Sequence, residues 1–210
     1  MDATTIAVAA PAPPVAPTWT IDGEHSTIGF SIHHMVIATV HGRFHRVRGT
    51  LAFDPNRPWN ASVAAEIDVT SIDTGIAKRD DHLRSPDFFD VERYPTISFR
   101  SIRVEPLRPR QLDRWTVTGH LTIHGVTRQI DLAVNRIGRR VDVITFAAST
   151  SISRKDFGIV FGLPVERGNV VIADSVAINL VIQANAAPTT KSGIVDLPVA
   201  GQHACPLPFG

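Results

Sequence analysis

The chain has one cysteine, no long apolar run and no excess of charge of either sign. Its single thiol, Cys205, excludes an internal disulfide. It sits near the C-terminus among Pro, Gly and Ala, so it reads as a tail residue rather than a nucleophile. No apolar stretch approaches the roughly 18 residues that cross a bilayer as a helix, so the chain is not expected to span a membrane. Twenty-one Lys and Arg against 20 Asp and Glu leave a formal net charge of +1. No basic field is therefore available to draw in nucleic acid. The G-x-S-x-G elbow, the Walker phosphate loop and the G-x-G-x-x-G fingerprint are all missing. Asp156-Phe157-Gly158 spells the kinase triplet, but no other kinase motif accompanies it.

The first stretch, MDATTIAVAAPAPPVAPTW, has no basic residue before its apolar run and four prolines between Pro11 and Pro17. That is unlike a secretory signal. Residues 1–18 are predicted to be a flexible Pro/Ala arm and residues 186–210 a flexible tail, with one domain over 19–185. A cytoplasmic location follows, or a periplasmic or secreted one if the true start lies elsewhere.

What the sequence has in quantity is alternation. Ile28, Phe30 and Ile32 alternate with small or polar residues, and so do Ala61 to Val69, Trp115 to Ile123 and Val176 to Ile182. Period two is the signature of a half-buried strand. Val40, Gly42 and Phe44 occupy even positions, whereas Val47, Gly49, Leu51 and Phe53 occupy odd ones. A phase flip inside one run predicts a bulge near His45–Arg46. About eight long strands joined by turns predict an all-β, eight-stranded antiparallel barrel, with a sandwich as the alternative. Small residues at inward positions (Gly42, Ala65, Gly119) suggest interior space.

One segment breaks the β pattern. A short helical insertion is predicted at about 75–90, with Asp80 placed to pair with Arg84 four residues on. Ser85-Pro86-Asp87 carries the signals of a second helix start. The stretch RDDHLRSPDFFD, from Arg79 to Asp90, combines His82 with four carboxylates. That composition suggests an enzyme or metal site. Capping and ion pairing account for the same residues, and Phe88 and Phe89 are placed to pack into the barrel. The histidine pairs His41/His45 and His120/His124 fall on strands, where four residues span about 13 Å. One metal ion, with ligand bonds of about 2 Å, cannot be held by either pair alone.

Several blocks carry a family resemblance. They are Thr20-Ile21-Asp22 with His25-Ser26, then Gly42-Arg43-Phe44 and Phe53-Asp54-Pro55. Ser71-Ile72-Asp73-Thr74-Gly75, Arg79-Asp80-x-His82-Leu83-Arg84-Ser85 and Asp87-Phe88-Phe89-Asp90 follow. Gly119-x-Leu121-Thr122-Ile123-x-Gly125-Val126-Thr127 and Arg154-x-Asp156-Phe157-Gly158 complete the set. In order and type they resemble the YceI-like family of lipocalin-like, polyisoprenoid-binding proteins. The resemblance implies a barrel whose apolar pore holds an isoprenoid chain, no established enzymatic chemistry and a homodimer. No cofactor and no metal are expected. The ligand would be a polyisoprenoid or another amphiphilic lipid, lined by Phe30, Phe44, Ile67, Phe99, Leu121, Phe146 and Phe157. Phe88 and Phe89 would cover it, and Arg79, His82, Arg84 and Arg154 would face its head group. An ion pair tying the insertion to the barrel is the competing role for Arg79 and Arg84. A filled barrel without ligand is a further alternative.

Overall fold

The computed structural model describes residues 16–34, 38–108, 113–161 and 172–187. The terminal arm and tail, with Cys205, lie almost wholly outside these residues. The strands are β1 (Thr18–Ile21), β2 (Thr27–His34), β3 (Ala38–Phe44), β4 (Val47–Ala52), β5 (Ser62–Asp68) and β6 (Ile72–Asp73). After the helix α1 (Ala77–Arg84) come β7 (Thr96–Pro106), β8 (Arg114–Ile123), β9 (Val126–Arg139), β10 (Val143–Ser153) and β11 (Ile172–Ala186).

These form a closed antiparallel barrel of eight staves. β1 and β2 lie end to end along one edge of β11, with Ile21 opposite Ala184 and Thr27 opposite Val181. They are one stave interrupted at Asp22–Ser26, where the Asp22 carboxylate accepts from the Glu24 and His25 amides. β3 and β4 are likewise one stave, pairing β2 and β1 respectively. β5, β7, β8, β9, β10 and β11 follow in sequence order, and β11 closes onto β1. Closure leaves only short open edges among the described residues, at β6 and at the end of β10.

The phase flip seen in the sequence falls between β3 and β4. At this bend Ser71 Oγ accepts from the His45 and Arg46 amides at 3.2 and 3.1 Å. The Arg46 carbonyl accepts from the Asp68 amide at 3.0 Å. A serine buried to 7% exposure thus takes up the backbone donors that the interrupted ladder releases.

Two apolar clusters fill the two ends. At one end Trp19, Phe53, Trp115, Phe146 and Ile144 close the barrel. Phe53 meets Trp115 and Phe146 edge-on at 5.8 and 5.3 Å, the favoured aromatic geometry. Trp19 Nε1 donates to the Phe53 carbonyl at 3.2 Å. At the other end Ile72, Val69, Ile97, Ile123 and Phe157 pack under the insertion. β10 pairs with β9 only over Ile144–Ser149. Beyond that point the 3-10 turn Lys155–Phe157 brings Phe157, 2% exposed, into the core. Gly158 leaves the turn with φ +76°, a conformation that glycine adopts without strain.

Of the small inward residues expected to leave interior space, Ala65 borders a cavity, whereas Gly42 and Gly119 are each covered by a ring. A Cβ at Gly42 would strike the Phe30 ring, and one at Gly119 the Phe99 ring. Each glycine is the seat of an aromatic ring from the neighbouring stave.

Candidate functional site: an apolar lumen with a basic mouth

A cavity of about 520 Å³ runs inside the barrel. Small-molecule sites occupy roughly 300–1,000 Å³. Its walls are the inward positions of every stave. Phe30, Ile67 and Phe99 line it and are only half-buried, whereas Phe44, Leu121, Phe146 and Phe157 line it from positions below a tenth exposed. All seven residues expected to line the interior therefore reach the cavity. The alternation places six of them there because each occupies the inward phase of its strand, and Phe157 arrives from the 3-10 turn after β10.

The insertion covers the lumen at the end away from the Trp19 cluster. Phe88 and Phe89 both line the cavity. Phe89 meets Phe44 at 6.0 Å, and Phe44 meets Phe30 at 5.6 Å. A line of three rings thus connects barrel and insertion. His82 completes a triangle of rings with Phe88 and Phe161, edge-on to both at 5.0 and 4.9 Å, while those two meet at 4.7 Å. Phe161 escaped the sequence reading because no alternation surrounds it; the only signal was an aromatic just past the Asp156-Phe157-Gly158 block. Ile32, Val40, Ile172 and Val176 also line this end.

The local structure of the insertion departs from expectation in three ways. The helix begins at Ala77, and Arg84 pairs with Asp81 at 3.0 Å rather than with Asp80. Asp80, 6% exposed, instead accepts from the Thr74 amide and hydroxyl. It holds the strand-to-helix corner, where the buried carboxylate finds two donors that an exposed Arg pair would not supply. Residues 86–89 form a turn, not a second helix, and Asp87 bonds His82 at 2.9 Å. Four residues before the next turn are too few to propagate a helix.

Four basic side chains were expected at the head of a ligand, and three are at the cavity. Arg79 lines it while donating Nε to Thr74 Oγ1 at 2.7 Å and Nη2 to the Thr74 carbonyl at 2.8 Å. His82 lines it with its side chain 45% exposed, so the cavity reaches solvent here. Arg154 lines it at 8% exposure, bonded to the carbonyls of Ile159, Ala173 and Ile172. Arg84 does not line it. Its guanidinium donates to the Thr70 and Ile72 carbonyls at 3.1 and 2.8 Å. Its reach is used in tying α1 to the 69–73 segment, the tether role weighed against head-group contact.

The carboxylates of RDDHLRSPDFFD are therefore all engaged, Asp80 by Thr74, Asp81 by Arg84, Asp87 by His82 and Asp90 by Arg93. Among the described residues no group of three His, Cys, Asp or Glu side chains stands close enough to hold a metal ion. Outside the insertion, Asp73 hydrogen-bonds His45 at 2.9 Å and Arg43 at 3.2 Å. The His45 contact, the Gly75 amide and Arg43 together lower its carboxyl from 3.8 to about 2. No described helix is long and apolar enough to cross a membrane.

Comparison with known proteins agrees with this architecture. A sequence model of the YceI-like domain matches residues 19–184. A UPF0312 protein of Photorhabdus laumondii is 37% identical over 142 residues, 65% of this chain and 72% of that protein. The YceI protein of Escherichia coli O157:H7 is 36% identical over 152 residues, 69% of this chain and 78% of its own. Among solved structures, Burkholderia cenocepacia BcnA superposes with a TM-score of 0.68 at 26% identity, covering 78% of this chain and all but 2% of that one (98%). A polyisoprenoid binding domain from Saccharophagus degradans superposes with a TM-score of 0.66 at 18% identity, covering 83% of this chain and 100% of that one.

Proposed function

Since the chain belongs to the YceI-like domain family, we propose that it binds an isoprenoid lipid, or a similar amphiphile such as a quinone, inside its barrel. It acts by holding that molecule, as a carrier or store, and not by chemical turnover. The observation that carries this function is the cavity of about 520 Å³, walled by apolar side chains from all eight staves. The name of the Saccharophagus degradans domain as polyisoprenoid binding supports the ligand class.

The energetics suit a branched hydrocarbon chain. Each buried CH₂ contributes about 0.8 kcal/mol before ordering costs. An isoprene unit has five carbons, so a few units outweigh the roughly 4–15 kcal/mol lost on association. Affinity needs no ionic contact, and a barrel closed by hydrogen bonds keeps the lumen formed before the ligand arrives.

Native mass spectrometry of the purified protein tests this directly. A retained lipid is expected, released on denaturation. Delipidated protein should gain thermal stability when a prenyl lipid is added, by about 2.7 kcal/mol at a hundred times Kd. A protein that never carries lipid, and whose Tm ignores added prenyl lipids, would refute the proposal. The rival enzyme or metal function predicts stoichiometric metal in elemental analysis.

A further inference from the structure

The barrel presents its exposed apolar side chains unevenly. Trp59, Ile102, Leu107, Ile137 and Val141 stand exposed toward the Trp19 end, against Ile76 and Val160 at the insertion end. Three connections turn the chain at the Trp19 end: β4–β5, β7–β8 and β9–β10. Each carries one of the five. Trp59 lies in the 3-10 turn Pro58–Asn60, Leu107 follows β7, and Val141 follows Arg140 in the β9–β10 turn. Ile102 and Ile137 stand behind them, each the residue skipped where its ladder slips, a device that re-aims a side chain. Val141 is 90% exposed, in a turn closed by the Arg140 amide donating to the Val143 carbonyl at 2.7 Å. Two-residue hairpin turns favour Asn and Gly, so the turn itself does not require an aliphatic there.

The same end is basic. Arg108, Arg114, Arg136, Arg139 and Arg140 have no ion-pair partner among the described residues. Nearby, Arg57 is matched by Asp54 and Arg103 by Glu105. The net charge of +1 over the whole chain therefore hides a local excess. The lumen also runs up to this end, where Pro58, Ala61 and Ser62 line it around Trp59.

We propose that the Trp19 end docks on an anionic lipid bilayer, with Trp59, Leu107 and Val141 entering the interface and the arginines lying at the level of the phosphates. A bilayer interface accepts aromatic and aliphatic groups singly, while arginine stems reach out to the head groups. A protein partner would require a contiguous apolar patch with charge kept to its rim, whereas here the apolar tips stand on separate loops with arginines beside them. Docking of this kind is peripheral and does not depend on what fills the lumen. It sets the lumen wall at Pro58–Ser62 against the membrane and turns the insertion away from it.

The test mixes full-length protein with vesicles of phosphatidylcholine alone, or of phosphatidylcholine with phosphatidylglycerol, and separates them by flotation. Binding to the anionic vesicles is expected to be at least about ten-fold tighter, and to fall as salt is raised. Trp19 and Trp115 are buried and Trp59 is 53% exposed, so a blue shift of tryptophan emission on adding vesicles should come from Trp59 and vanish in Trp59→Phe. Arg139→Gln combined with Arg140→Gln should weaken binding to anionic vesicles about ten-fold. Val141→Ser should weaken it too, and Ile76→Ser at the insertion end should leave it unchanged. All these positions are exposed, so each variant should keep the Tm of the parent. Absence of flotation overturns the inference, and so does binding that ignores both salt and the arginine pair. Self-association broken by Val141→Ser, without flotation, would make this face a contact between copies and overturns it equally. Lipid retained in native mass spectrometry without flotation overturns docking and leaves the lipid-binding function intact. Flotation of a protein that never retains lipid does the reverse.

Discussion

At the scale of single residues, the interior is fitted by pairing glycines with rings. Gly42 and Phe30 lie directly opposite on β3 and β2, and Gly119 lies close to Phe99. The glycine has no Cβ, so the far end of the ring occupies the space that a side chain would take. Gly42→Ala should therefore be destabilising by about 1–3 kcal/mol, the usual cost of overpacking. The three atoms nearest the added methyl all belong to the Phe30 ring. Hence Gly42→Ala combined with Phe30→Leu should recover much of the loss, a coupling measurable by urea denaturation in a double-mutant cycle. Additive losses would show that the ring and the glycine are independent. The glycines were legible in the sequence as inward positions, but their meaning was not. Alternation tells which face a residue occupies and says nothing of which ring crosses from the next strand.

At the scale of elements, the bend between β3 and β4 joins barrel and insertion. Ser71 sits at its centre, bonded to the His45 and Arg46 amides. Ser71→Ala would leave the Arg46 amide without its acceptor in a buried corner, and should cost about 1–3 kcal/mol by the same denaturation assay. Two residues on, Asp73 fixes the outer side of the bend through His45 and Arg43. Its carboxyl is lowered from 3.8 to about 2, so its contribution to stability is complete above the ordinary value and is lost as pH falls toward the lowered one. Unfolding free energy should therefore drop between about pH 4 and about pH 2, and Asp73→Asn should flatten that drop while lowering stability at about pH 6. An unchanged acid slope in the variant would assign the effect to other carboxylates. The bend itself was visible as a phase flip, because inward and outward positions must exchange when a stave turns a corner. The partners of the insertion were not. Asp81 rather than Asp80 takes Arg84, since helical spacing permits both and the buried Thr74 donors decide between them.

At the scale of the whole molecule, the lumen is a compromise between folding and binding. Strand number and the inward phase follow from period-two patterning, which is why the barrel and the six strand-borne lining residues could be read directly from the chain; Phe157 comes from the 3-10 turn after β10. Whether the interior is filled or open could not be read, because that depends on how far each side chain reaches across the axis. Phe30, Ile67 and Phe99, only partly buried at the cavity wall, show it to be open. An open apolar lumen forgoes packing contacts that a solid core would make. Delipidated protein should consequently gain from being filled. Ala148 lines the cavity from β10, opposite Leu180 of β11 and Val134 of β9, and Ala148→Leu adds apolar volume where there is none. The variant should be more stable than the parent without lipid, by about 0.5–2 kcal/mol as cavity-filling substitutions commonly give. It should also gain less from added prenyl lipid, because substituent and ligand compete for the same volume. A variant that is destabilised yet still gains fully from lipid would mean that Ala148 borders packed wall instead of the binding space. The two measurements together separate a barrel held open for a ligand from one that merely packs poorly.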